Sequence, residues 1–328
     1  MSARRTWAIA IHGGAGVIRR DILDPAQDSA YRGALRRAID AGIAILTAEG
    51  SALDAVVASV RVLEDDSLFN AGRGAVFTSE GRVELDASIM DGASLGAGAV
   101  AGVTTVRNPI SLARRVMTHS PHVMLIGSGA ERFAAEQGLE QVDPSWFFSV
   151  RRWRSLETYL RASKLPIPPR PAALDGSDPI EQLVHDEGKK GTVGAVARDV
   201  HGNLAAATST GGITGKRWGR VGDSAIIGAG TYASNAACAV SATGDGEVFI
   251  RAAAAREIAS LVEHRGMSIQ EAADIVIHQR IAALKGEGGV IVVGRDGSGA
   301  WSFNSDGMYR ARATSEGGVE VALYKDED

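Results

Sequence analysis

Cysteine is almost absent from this chain: among 328 residues only Cys238 carries a thiol. An internal disulfide is thereby excluded, as is a metal site built from several thiolates, and a reducing, cytoplasmic setting is expected. A basic excess is missing too. Lys and Arg number 35 against 39 Asp and Glu, a net charge of -4. Nothing in that balance favours a phosphate backbone, so no nucleic-acid partner is expected. Long hydrophobic runs are lacking as well. Arg4 and Arg5 precede an apolar run that ends at His12, too short for a signal-peptide core or a bilayer span, so no membrane association is expected. What is abundant is glycine, with 40 residues, which points to tight turns and close backbone approaches. With 45% hydrophobic residues the chain can bury a large core.

Hydropathy patterning predicts a strand over residues 7–11, ending in the turn His12-Gly13-Gly14-Ala15-Gly16. Helices are expected over 25–48, stopped by Gly50, and from Ser51, which with Asp54 resembles a capping box. Strands are expected at 74–78, 82–90, 99–106 and 122–126, and a helix over 144–163. Five of the nine prolines then fall between 165 and 179, and the segment stays polar and charged through Lys190. It reads as a flexible linker, 164–191. Beyond it come strands at 192–199 and 204–208, helices at 249–264 and 268–284, and strands at 290–294, 300–303 and 318–323. Strands and helices in segregated runs favour a layered α+β domain over a doubly wound sheet.

Familiar catalytic signatures are missing. There is no Gly-x-Ser-x-Gly elbow, no His-Glu-x-x-His and no phosphate-binding Gly-x-x-x-x-Gly-Lys-Ser/Thr. A hydroxyl-rich cluster follows the linker instead: Thr192, Thr208-Ser209-Thr210, Ser224, Ser241 and Thr243. Threonine is common in strands, and any one of these alone reads as a packing residue. Their position after a candidate cleavage segment gives the catalytic reading equal weight. A threonine hydroxyl is a poor nucleophile until a base takes its proton. Cleavage of the Gly191–Thr192 bond would supply that base on the same residue, because an α-amino group titrates near about 7.7–8.0.

At this point the sequence resembles the plant-type asparaginases, also called isoaspartyl peptidases, within the N-terminal-nucleophile hydrolases. The resemblance runs over nearly the whole chain except the linker. It rests on His12-Gly13-Gly14-Ala15-Gly16, Asn70-Ala71-Gly72-Arg73-Gly74, Glu84-Leu85-Asp86-Ala87 and Ser120-Pro121-His122-Val123. Beyond the linker it rests on Gly191-Thr192-Val193-Gly194-Ala195-Val196-Ala197, Ala207-Thr208-Ser209-Thr210-Gly211-Gly212, Gly219-Arg220-Val221-Gly222-Asp223-Ser224 and Thr243-Gly244-Asp245-Gly246-Glu247. It implies a single domain in a four-layer αββα sandwich, cut between Gly191 and Thr192 into subunits 1–191 and 192–328, with two such pairs forming a dimer. It implies Thr192 as nucleophile, Thr210 as a hydroxyl that orients it, and Thr243 with Gly244 as the oxyanion hole. Arg220 would bind the substrate α-carboxylate, Asp223 the α-ammonium, and Gly246 and Asn70 would lie beside the substrate. An Arg220–Asp223 surface ion pair is the plain alternative for the two charges. No organic cofactor is implied. A sodium ion is, held by the main-chain carbonyls of Leu63, Glu64, Asp66, Phe69, Ala71 and Arg73. The expected reaction is hydrolysis of the side-chain amide of β-aspartyl dipeptides and L-asparagine. The rival readings are a glycosylasparaginase-like amidase and a non-catalytic small-molecule binder that stays uncut.

Overall fold

A computed structural model describes residues 6–174 and 191–327. Its large sheet takes strands from both halves of the sequence. They are β1 (Ala8–Gly16), β2 (Leu85–Asp91), β3 (Ala97–Val103), β4 (Met124–Ile126), β5 (Val193–Arg198) and β6 (Leu204–Thr210), joined by β11 (Gly307–Thr314) and β12 (Glu320–Tyr324). The spatial order is β12-β11-β1-β5-β6-β2-β3-β4, antiparallel except for the β3–β4 pair. A second sheet of four antiparallel strands runs β10 (Gly299–Phe303), β9 (Gly288–Gly294), β8 (Cys238–Gly244), β7 (Thr231–Ala233).

Helices α1 (Pro25–Thr47), α2 (Ala52–Asp65) and α3 (Pro109–His119) cover the outer face of the large sheet. Helices α7 (Ala254–Arg265) and α8 (Ile269–Ile275) cover the outer face of the small one. The two inner faces meet through Ala8, Ala10, Val196, Ala206, Ala239 and Ile291, giving the αββα layering. Alanine at so many of these positions lets the sheets approach closely. With both faces covered, β5 and β6 are buried along almost their whole length, and that is why they read as continuous small-residue runs without alternation. The remaining helices are α4 (Gly127–Glu136), α5 (Val150–Ala162) and α6 (Gly246–Ala252). Among the described residues no helix is long and apolar enough to cross a membrane.

Several local expectations change. The glycine run after His12 is not a turn that ends the strand: β1 continues to Gly16 through a bulge between His12 and Gly14, where Gly14 takes φ +114°. Helix α1 does stop near Gly50, but Glu49 is the left-handed residue; a side chain on Gly50 would sit 2.9 Å from the Ile45 carbonyl oxygen. Residues 74–78 form no strand: Gly72–Gly74 turns as a short 3-10 helix, and beyond it Phe77 pairs only through an isolated bridge to Val83. The helix expected over 249–264 breaks at Ala253, left-handed at φ +46°, and the one expected over 268–284 widens into a π-helical stretch at Val276–Ile281. Strands β7, β8 and β11 escape the pattern reading. β8 is short-chained and buried nearly throughout, and β11 hides the fully buried Arg310, whose guanidinium bonds the carbonyls of Met308 and Tyr324 at 3.1 Å. Of the linker, residues through Leu174 are described, and Leu174 is buried; residues 175–190 lie outside the described residues.

Candidate active site

Thr192 sits at the head of β5, facing the end of β6, and is itself buried. Its Oγ1 donates to Thr210 Oγ1 at 3.1 Å and lies 3.4 Å from Ser224 Oγ. Thr210 in turn donates to the Gly191 carbonyl oxygen at 3.2 Å and accepts from the Gly212 amide at 2.9 Å. The hydroxyl of Thr192 is therefore linked through one other hydroxyl to the carbonyl of the bond that precedes it.

Asn70 supplies the other donor on that carbonyl. Its Nδ2 reaches Gly191 O at 2.6 Å and Gly212 O at 2.7 Å, while its Oδ1 accepts from the Val76 amide. The resemblance places Asn70 beside the substrate; in this uncut chain it grips the Gly191 carbonyl. The bulge in β1 closes the other side. A side chain on Gly14 would lie 3.1 Å from Gly191 Cα and 3.5 Å from Thr192 N, so only a glycine lets β1 pass this close.

The charged end of the site lies around Gly246, at the start of α6. A methyl group there would be 2.7 Å from an Arg220 terminal nitrogen and 3.0 Å from Asp223 Oδ1. The three residues expected around a substrate head group are thus brought together. The plain Arg220–Asp223 pair is not what forms. Instead Arg220 Nε and one terminal nitrogen donate to the two oxygens of Glu247 at 2.9 and 2.8 Å, a partner to which the sequence reading gives no role. Asp223 is buried, and its Oδ2 has no hydrogen-bond partner among the described residues. Burial pushes its carboxyl up to about 7. A buried carboxylate with an idle oxygen is suited to an incoming ammonium group.

Thr243 Oγ1 accepts from the Ala15 amide at 3.4 Å, which puts it against the same β1 bulge. Gly244 takes φ +148°, and a side chain there would sit 2.3 Å from the Glu287 carbonyl oxygen. Both lie at the end of β8, in the sheet facing Thr192.

A family model described as Asparaginase matches residues 5–323. The chain belongs to the asparaginase family. It is 48% identical over 318 residues to a Salmonella typhimurium protein named isoaspartyl peptidase, covering 97% of this chain and 98% of the relative. A probable isoaspartyl peptidase/L-asparaginase 2 of Arabidopsis thaliana is 44% identical over 327 residues, 97% of this chain and 99% of that one. The human isoaspartyl peptidase/L-asparaginase is 40% identical over 320 residues, with 97% and 96% covered.

In this asparaginase-family chain the loop after α2 carries Asn70. Its glycines are required by close approach: a side chain on Gly72 would fall 2.2 Å from the Glu64 carbonyl oxygen, and one on Gly74 2.1 Å from that of Phe69. Two arginines of α5 hold the loop from behind, Arg151 on the carbonyls of Ser67 and Leu68 and Arg152 on that of Gly74. The Glu64 side chain turns the other way, accepting from Ser209 and Ile110 at 2.6 and 3.0 Å, with burial pushing its carboxyl up to about 8.

Sequence reasoning places Ser224 in the hydroxyl cluster without a separate role, and gives His12 no role at all. Both stand inside motifs that carry the family resemblance. The available signal is a histidine followed by glycines at the end of a buried strand, a pattern that locally reads as a turn.

Proposed function

We propose that the chain cuts itself between Gly191 and Thr192 and then hydrolyses the side-chain amide of β-aspartyl dipeptides and L-asparagine. One observation carries this reading: Thr192 Oγ1 is bonded to Thr210, and Thr210 and Asn70 both donate to the Gly191 carbonyl. Those donors stand where negative charge would develop as the hydroxyl attacks that carbonyl. The peptide nitrogen leaves as the α-amine of Thr192, and water hydrolyses the resulting ester, leaving a carboxyl group on Gly191. Thr192 then carries its own base. In the second reaction Oγ1 attacks the substrate amide, its proton passes to the leaving nitrogen, and water releases aspartate from the aspartyl ester. Thr243 and Gly244 would stabilise the charged intermediate. Asp223 would hold the substrate ammonium and Arg220 its α-carboxylate, through a planar fork suited to carboxylates. The names of the relatives support the same substrate class.

We infer further that the loop carrying Asn70 holds a sodium ion. The carbonyls that Arg151 and Arg152 occupy belong to Ser67, Leu68 and Gly74, none of them among the six expected ligands. The carbonyls of Glu64 and Phe69 face glycines rather than side chains. The ion would brace the loop that carries Asn70 and takes no part in the reaction. Two cleaved pairs are taken to associate, for which the exposed Val123, Met124 and Ile126 at the β4 edge offer an apolar face.

The test is to follow purified protein by intact mass and then supply β-Asp-Leu and α-Asp-Leu separately. Two fragments meeting at Gly191–Thr192, with leucine released far faster from the β isomer, are expected. Only the β isomer keeps both its α-amino and α-carboxylate groups free for Asp223 and Arg220. A chain that stays whole while fully active, or equal rates on the two isomers, would overturn the reading.

A further inference from the structure

The main-chain carbonyl of Thr192 itself, on the far side of the residue from the Gly191 bond, is held by a side chain. His12 Nδ1 lies 2.9 Å from Thr192 O, and His12 Nε2 lies 2.9 Å from Ser241 Oγ. A carbonyl has no proton to give, so Nδ1 must carry one. His12 is fully buried, and that burial holds its imidazole down at about 3, so the ring is neutral and Nε2 is bare. Nε2 then accepts, and Ser241 is its donor.

That assignment propagates. Ser241 donates to His12, so in the 2.7 Å contact between Ser241 and Thr208 the proton comes from Thr208, in preference to the longer 3.2 Å contact of Thr208 with the Gly230 carbonyl. Thr208 in turn accepts from Thr231, at 2.5 Å. Ser88 Oγ donates to the carbonyl oxygen of Ser224 at 2.6 Å and packs 2.8 Å from Thr231 Oγ1, whose own proton goes to Thr208. Ser224 Oγ lies 3.4 Å from Thr192 Oγ1. From the Thr192 carbonyl the directed hydrogen bonds run through His12, Ser241 and Thr208 to Thr231, passing through side chains of both sheets. All of these residues are buried. Such a dry polar chain is stable only when every member is satisfied. Gly194, opposite His12 in the β1–β5 register, leaves the corridor open: a side chain there would fall 2.0 Å from Ser241 Oγ and 2.5 Å from His12 Nε2.

We propose that His12 is a positioning residue for Thr192. As the neutral Nδ1–H tautomer it fixes the Thr192 carbonyl, and with it the backbone torsion that aims the α-amino and hydroxyl groups. The Thr192 carbonyl dictates the tautomer, and the Ser241 hydroxyl satisfies the bare Nε2. The inference rests on the reading of Thr192 as nucleophile. A histidine that merely fills the core would also be neutral, but its tautomer and the side of the ring that matters would carry no kinetic weight.

Two measurements test it. The first is nitrogen NMR of the mature, histidine-labelled enzyme, with His12 assigned by its loss in His12→Phe. Expected is a proton on Nδ1, none on Nε2, and no titration between about pH 5 and 9. An Nε2–H tautomer, or a ring that titrates in that range, overturns the proposal whatever Thr192 does. The second compares His12→Asn, whose amide nitrogen reaches the place of Nδ1, with His12→Gln, whose amide reaches that of Nε2. With rates taken per cleaved chain, kcat in the Asn variant should stay within about threefold of the wild type and fall at least about tenfold in the Gln variant, with KM nearly constant in both. Equal losses in the two variants also overturn it. Failure of the nucleophile reading shows separately, as an uncut wild-type chain with full activity.

Discussion

The side-chain amide of Asn70 donates to the carbonyl oxygen of Gly191 at 2.6 Å, shorter than the 3.2 Å bond that Thr210 makes to the same atom. Asn70 is therefore the stronger of the two polarising donors on the bond proposed to be cut. The substitution Asn70→Asp keeps the shape of the side chain and removes the N–H donor. Self-cleavage should slow by about 10²-fold or more, the scale typical of losing an oxyanion donor. A time course of intact mass checks this, and an unchanged rate would remove Asn70 from the cleavage step.

Thr192→Ala should leave a single uncut chain, because the hydroxyl that attacks is gone and no α-amine is ever released. Thr192→Ser keeps the hydroxyl but loses the methyl group that packs in this buried position. It should cut itself, more slowly than the wild type. Gel electrophoresis of freshly purified variants distinguishes the three outcomes. Cleavage of the alanine variant at the same bond would place the nucleophile elsewhere.

Arg220 is engaged by both oxygens of Glu247, and a substrate carboxylate must share or displace that partner. Arg220→Ala should lower kcat/KM for β-Asp-Leu by about 2–4 kcal/mol of transition-state binding, the scale of a lost charge-assisted pair. Self-cleavage should change little, since the hydrogen bonds of Arg220 go to Glu247 and not to Gly191 or Thr192. Steady-state kinetics on cleaved protein decides. Normal kinetics would reduce Arg220 to a partner for Glu247.

Asp223 gives a pH signature. Its carboxyl is pushed up from 3.8 to about 7 by burial, and only the carboxylate form can pair with a substrate ammonium. kcat/KM should fall as pH drops below about 7, more steeply than one ionisation allows, because the Thr192 amine loses its lone pair on the same side. A profile flat down to about pH 5 would exclude Asp223 as the anchor. Stability runs the opposite way. Between 3.8 and about 7 the folded state holds a proton that the unfolded chain has lost, so this group's contribution is full at low pH and is lost as pH rises through about 7. Asp223→Asn should gain Tm over the wild type more at about pH 8.5 than at about pH 5, while losing activity.

Much of the fold is legible in the sequence because its signals are local. The helical spacing of apolar residues in α1, the Ser51 hydroxyl that caps α2 and the small-residue runs of β5 and β6 all act within a few residues. β8 and β11 are not legible. β8, like β5 and β6, is buried almost throughout and shows no alternation, and its short Cys-Ala-Val-Ser-Ala-Thr-Gly run follows the Ser-Asn-Ala-Ala stretch without a local break that marks it as a strand. Arg310 breaks the apolar pattern because its partners are main-chain carbonyls, of Met308, Tyr324 and Glu327, which come round it only once the chain end folds back beside β11.

By itself the sequence determined which groups can do chemistry and in what local frame: a threonine after glycine beyond a proline-rich segment, an arginine and an aspartate three residues apart, glycines where the backbone must pass closely. It could not decide partners across the fold. Glu247 on Arg220, Asn70 on Gly191 and His12 on the Thr192 carbonyl join residues 27, 121 and 180 positions apart. Such pairings depend on strand order and on the bulge in β1, and these are set only when the two sheets pack face to face and every buried donor must find an acceptor.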